Sequence, residues 1–145
     1  MKTYLALIVP LAILAGCAKP VPKNPVLVTD VVDNIHAWDG QTVTINGWLG
    51  VCEGLSCLLH ASLEDAVIVI SPVSDKDQFL AAMDRSISIG SDKKFDAAAA
   101  PLQFSEVTVR GIVSDECHGW MVICLDRASD IYPISIKSNS PTKVN

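Results

Sequence analysis

Basic residues are scarce in this chain. Of 145 residues, 11 are Lys or Arg against 16 Asp or Glu, a formal charge of −5. A domain with that balance repels phosphate backbones, so nucleic acid is not an expected partner. Long apolar runs are lacking too. The run near the start, Tyr4 to Leu14, falls short of the ~20 apolar residues that a membrane-spanning helix needs. No Gly-rich phosphate loop, serine-protease arrangement or metalloprotease motif occurs. The reading is therefore non-enzymatic, with no catalytic residue and no cofactor.

What is present begins at the N-terminus. Met1-Lys2-Thr3, the apolar run and then Ala15-Gly16 have the anatomy of a secretory signal: an early charge, a short apolar core and small residues. The end of that run, Leu14-Ala15-Gly16-Cys17, resembles the lipobox of bacterial lipoproteins. The resemblance implies cleavage before Cys17, diacylation of its sulfur and, usually, acylation of the new amine. Each buried CH₂ contributes ~0.8 kcal/mol, so one acyl chain anchors marginally and two or more hold. In lipoproteins of diderm bacteria, Asp after the lipidated cysteine favours retention at the inner membrane. Ala18 stands there, which implies the periplasmic face of the outer membrane, with the inner membrane as the other placement. The rival reading is an ordinary secretory signal with an incidental cysteine.

Removing residues 1–16 leaves 129 residues and takes the charge to −6, which suits one domain with a modest core. Residues 17–28, with Pro20, Pro22 and Pro25, read as a lipidated, extended tether. Residues 29–136 read as the domain, and 137–145 as a polar, disordered tail. Within the domain, Val31, Val32, Ile35 and Trp38 fall at helical spacing behind Asp30, a candidate N-cap, and Asp39-Gly40 ends the helix. Thr42 to Val51 alternates as a half-buried strand, with Val43, Ile45, Gly47, Leu49 and Val51 on one face and Trp48 on the other. Cys57 to Ser62 reads as a second strand and Ala66 to Ile70 as a third. Ser74 caps a helix carrying Phe79, Leu80 and Met83, and Ile87-Ser88-Ile89 suggests a short extra strand. Asp96 to Pro101 fits either a helical turn or a loop. Val107 to Val113 is a strand, and Val122 to Ile136 contains another, broken near Pro133.

One internal echo stands out. Val43-Thr-Ile-Asn-Gly-Trp-Leu49 matches Val107-Thr-Val-Arg-Gly-Ile-Val113, each with glycine at the fifth place and each followed by a cysteine pair. Glycine within a strand marks a bulge or bend, and small barrels need such bends. Three strands, a helix and two more strands, the first and fourth of them bent, resemble the OB-fold over Thr42 to Ile136. The expected fold is mainly β: a five-stranded, OB-like closed barrel with a short N-terminal helix and a helix between strands 3 and 4. The second and third strands, the usual OB binding face, carry no Lys or Arg between Cys57 and Ile70 but do carry Glu64 and Asp65. This departs from nucleic-acid-binding members.

With Cys17 committed to lipid, Cys52, Cys57, Cys117 and Cys124 remain. An even number in an oxidising compartment points to disulfides, with three possible pairings. In an OB barrel strands 1 and 4 are antiparallel, so the strand ends carrying Cys52 and Cys117 point apart. Bonded cysteines need Cα atoms within ~7 Å, so local pairing, Cys52–Cys57 and Cys117–Cys124, fits best. In OB-folds the loops so stapled flank the ligand groove, and rigid loops lower the entropy cost of binding. Trp48, Leu55, His118 and Trp120 are the candidate rim. Zinc on Cys117, His118 and Cys124 is the rival, though structural zinc spaces paired cysteines more closely. A Cys117–His118 catalytic pair is disfavoured because adjacent strand residues face opposite ways. His36 and His60 read as ordinary surface or hydrogen-bonded histidines, and Asp115-Glu116 as solvated carboxylates. The resulting expectation is a membrane-tethered periplasmic binding or adaptor module for an envelope protein or glycan. A ligand-free structural lipoprotein and a thiol- or zinc-dependent protein are the alternatives.

Overall fold

A computed structural model describes residues 24–54, 56–118 and 130–139. The signal segment, Cys17, Leu55, Trp120 and Cys124 lie outside the described residues. Strand β1 (Val26–Leu27) leads into helices α1 (Val28–Val32) and α2 (Ile35–Trp38). Strands β2 (Thr42–Glu53) and β3 (Ser56–His60) form a hairpin. Helices α3 (Leu63–Ile70) and α4 (Lys76–Asp84) follow, then β4 (Ser86–Ser88), α5 (Lys93–Ala99), β5 (Glu106–Val113) and β6 (Ile131–Ser138).

The six strands form one sheet in the order β4-β3-β2-β5-β6, with β1 added parallel to β2. All other ladders are antiparallel. The expected closed barrel of five strands is thus corrected in two respects. A sixth strand exists, because Val26–Leu27, read as tether, pair with Ile45 and Asn46. The sheet is also not closed: among the described residues its edge strands share no ladder, and an isolated parallel bridge joins Ile89 to Ile131. With only three residues in β4, a continuous closing ladder cannot form. At the other end β6 runs on through Lys137 and Ser138, paired with Thr108 and Val107, where the sequence suggested tail.

The mainly hydrophobic core lies between the sheet and the helices at its ends. Val43, Ile45 and Leu49 of β2, Leu59 of β3, Val107 and Val109 of β5, and Ile131 are fully buried or nearly so. Val28, Val31 and Ile35 seal one end, while Phe95 and Ala99 of α5 also pack into the core. Alternation along β2 breaks at a bulge between Leu49 and Cys52, where one extra residue enters. The bulge shifts the inward set, so Cys52 is buried and Val51 is only half-buried. A second bulge lies in β6, where Ile134 is the extra residue opposite Arg110 and Gly111 of β5. There a Cβ on residue 111 would sit 2.6 Å from the Tyr132 carbonyl oxygen, so glycine is required for the close approach. Gly47, its counterpart in the echo, lies in regular ladder with β5.

The segment read as the third strand is helical. Ser62 caps α3, its Oγ accepting from the Asp65 N–H at 3.1 Å. Glu64 and Asp65 occupy the first turn, where carboxylates complement the helix dipole. Asp75, rather than Ser74, caps α4 by accepting from the N–H groups of Asp77 and Gln78. Helix α5, capped by Asp92, lies between β4 and β5, while α3 and α4 stand between β3 and β4. At the N-terminus, Asp30 sits inside α1 and accepts from the Leu27 N–H. Two short helices replace the expected single one.

Candidate functional site

Three arrangements of polar or exposed side chains emerge. The first joins the sheet edges near the cysteine-bearing loops. Cys52 and Cys57 are disulfide-bonded across the β2–β3 hairpin, as local pairing required. Cys117 is also disulfide-bonded; since Cys52 and Cys57 hold each other, its partner lies outside the described residues. From Cys57 the contacts run around the rim. Its carbonyl accepts from the Ile89 N–H at 2.8 Å, and the Ile131 carbonyl accepts from the Gly90 N–H at 2.9 Å. Asp130 fastens this seam. Its Oδ2 accepts from the N–H and Oγ of Ser88 at 2.8 and 3.0 Å, and its Oδ1 lies 2.8 Å from His118 Nε2.

This cluster contains Ser, His and Asp but not a nucleophilic relay. The carboxylate stands between the hydroxyl and the imidazole, whereas a serine nucleophile needs the imidazole as its immediate base. Cys117 and His118 lie in a 3₁₀ turn, Glu116–His118, and the sulfur is already bonded. The neighbouring acids have partners of their own. Glu116 accepts from the Tyr132 hydroxyl at 3.2 Å. Asp115 lies 2.7 Å from Nδ1 of the exposed His36, a contact that lowers the carboxyl's pKa. Among the described residues, no group of three or more His, Cys, Asp or Glu side chains is placed to hold a metal ion.

The second arrangement lies beneath α3. His60 is 1% exposed, and its Nδ1 has no hydrogen-bond partner. Its ring lies over Gly50, where an added Cβ would approach Nε2 to 2.7 Å. Burial drives its pKa down to about 4, against an upward pull from Asp65. Asp65, itself buried, is held by Arg85 through Nη2 and Nε, at 2.5 and 3.3 Å. Burial raises the Asp65 pKa, but hydrogen bonds from Arg85 and Ser62 outweigh it and leave it lowered. The pair ties α3 to the end of α4. Helix α3, which packs against both β2 and β3, stands where the sequence suggested the third strand of the usual OB binding face.

The third arrangement is apolar. Leu63, Val67 and Ile70, at helical spacings of four and three, are exposed along α3. Val73, 89% exposed, tips the connection, and Phe79 and Leu80 are exposed on α4. The two helices pack against each other, so six large apolar side chains share one helical hairpin.

The four rim candidates are not gathered together. Trp48 is half-buried on β2, opposite His60 and Glu106. His118 follows the other end of β5, up to roughly 23 Å of extended strand away. Leu55 and Trp120 lie outside the described residues. Comparison with protein-family models, curated proteins and solved structures finds no match to this chain. Sequence reasoning missed Asp130 and Ser88, which carry no motif, and the α3 face. The spacing of Leu63, Val67 and Ile70 was the available signal for that face, but it competed with the apolar run Ala66–Ile70.

Proposed function

We propose that this chain is a membrane-tethered periplasmic lipoprotein, anchored through Cys17, whose OB-like domain is a non-enzymatic binding or adaptor module for an envelope protein or glycan. The exposed apolar face of the α3–α4 hairpin carries the proposal. Single exposed apolar residues are ordinary, but clustered ones mark interaction surfaces. The OB-like reading is supported by the sheet order, by α5 between β4 and β5, and by the bridge from Ile89 to Ile131, which suits a partly open barrel. The tether reading rests on Leu14-Ala15-Gly16-Cys17. The second cysteine bond is proposed as Cys117–Cys124.

Site-specific photo-crosslinking in intact cells tests the binding role. A crosslinker at Val67 is expected to yield a discrete envelope adduct that weakens with Ile70→Ser, while one at the exposed Arg110 yields none. For a glycan, co-sedimentation with cell-wall material should show the same dependence on Ile70. Equal adducts from both positions, or no adduct and no co-sedimentation, would remove the binding role and favour the ligand-free structural reading.

A further inference from the structure

The hairpin's apolar stripe has an acidic border. Between Leu63 and Arg85 the acids are Glu64, Asp65, Asp75, Asp77 and Asp84; the only cations are Lys76 and Arg85. Arg85 is engaged by Asp65. That leaves four exposed carboxylates around the stripe against the single ammonium of Lys76. Leu80 lies three residues after Asp77 and four before Asp84, on the same side of α4. Glu64 likewise stands three residues before Val67 on α3.

We propose that the α3–α4 hairpin docks a helical segment of a partner protein that carries one apolar stripe flanked by Lys or Arg. The inference rests on the binding-module reading and specifies its partner. Apolar side chains of an incoming helix would cover Leu63, Val67, Ile70, Phe79 and Leu80, as in helix-in-groove recognition. Its basic flanks would meet Glu64, Asp77 and Asp84, which set partner choice and speed encounter. The same border argues against a lipid surface as occupant, since anionic headgroups repel carboxylates. It argues against a second copy as well, because an isologous contact would set the acidic border against itself.

The test uses the full chain carrying Cys17→Ser, which lacks the acylation site, and two synthetic 18-residue helical peptides. One combines a Leu stripe with Lys flanks; the other replaces every Lys with Glu. Affinity is read by fluorescence anisotropy and location by hydrogen exchange. The Lys peptide should bind at least about tenfold more tightly than the Glu peptide, weaken as salt screens the flanks, and slow exchange within residues 63–85. Val67→Ser with Leu80→Ser should reduce that affinity about tenfold or more while leaving the thermal midpoint within a few degrees.

Equal binding of both peptides at 63–85 would overturn the charge assignment and leave the binding face standing. Protection elsewhere, or no binding, would overturn the docking site. Protection of 63–85 by phosphatidylethanolamine–phosphatidylglycerol vesicles without peptide would make a lipid surface the occupant. Concentration-dependent dimers abolished by Val67→Ser would make it a second copy.

Discussion

His60 concentrates the residue-scale physics. A buried imidazole without a partner on Nδ1 is neutral in the fold and readily protonated once unfolded. Its folded pKa, about 4, lies below the ordinary 6.5, so between those values the unfolded chain binds more protons. The His60 contribution to stability therefore falls as pH drops from about 6.5 to about 4, by up to about 3 kcal/mol, and levels off below. Urea unfolding across this window should show the loss in the wild type and not in His60→Leu. At pH 7 the Leu variant should lie within about 1 kcal/mol of wild type, because exchanging an unsatisfied polar group for an apolar one is nearly neutral. The contribution of Asp65 follows the opposite pattern: its pKa is lowered, so that stabilisation holds at higher pH and is lost below about 3.8 as the carboxyl protonates. Gly50 belongs to the same unit. Gly50→Ala places a methyl 2.7 Å from His60 Nε2 and should cost about 1–3 kcal/mol, a cost that shrinks in a His60→Ala background when measured as a double-mutant cycle. None of this was legible in the sequence. His60 read as an ordinary histidine because nothing local to its strand signals that the ring packs over Gly50, ten residues earlier.

Among the elements, strands with period-two alternation were read well. Thr42 onward and Val107–Val113 alternate because each strand has one face on the core, and the structure pairs them antiparallel over seven positions. Ala66–Ile70 was misread for a physical reason. A short run of Val and Ile suits a strand as well as a helix, and Ser62 with Glu64-Asp65 decides the matter by capping the first turn. Ser62→Ala should therefore cost about 1 kcal/mol and speed amide exchange in α3 before β3. The seam between β4 and β6 was beyond any local signal, because Ser88 and Asp130 meet from 42 residues apart. Asp130→Ala removes the acceptor for Ser88 and His118. Exchange at Gly90, whose N–H bonds across the seam to the Ile131 carbonyl, should accelerate at least tenfold while amides in β2 and β5 change little. Uniform acceleration would mean that the seam is not a separate opening unit.

At the scale of the whole molecule, one covalent feature staples the domain and a second, the proposed acylation of Cys17, would set where it sits. The Cys52–Cys57 bond closes a small loop, with five residues of sequence separation. Chain-entropy reasoning assigns it about 2 kcal/mol, so Cys52→Ala with Cys57→Ala should lower stability by about that amount and still fold on its hydrophobic core. If Cys17 is the anchor, as proposed, the tether of residues 17–25 could span at most about 28 Å at ~3.1 Å per residue. It enters the fold at β1 beside β2, and Val28 packs against the strand near the His60 backbone, two residues before Ser62 caps α3. An anchored domain would thus carry the α3–α4 face within a few tens of ångströms of the bilayer, inside the envelope where a helical partner segment could reach it. No described helix is long and apolar enough to cross a membrane; in the proposed lipoprotein, acyl chains on Cys17 hold the domain at the bilayer. Cys17→Ser should abolish incorporation of an alkyne-labelled fatty acid and move the protein from the membrane fraction to the soluble periplasm, with unchanged urea stability. Retention of Cys17→Ser in the membrane fraction would shift the anchor to an uncleaved N-terminal segment or to a bound partner; loss of retention in Val67→Ser with Leu80→Ser would identify the partner.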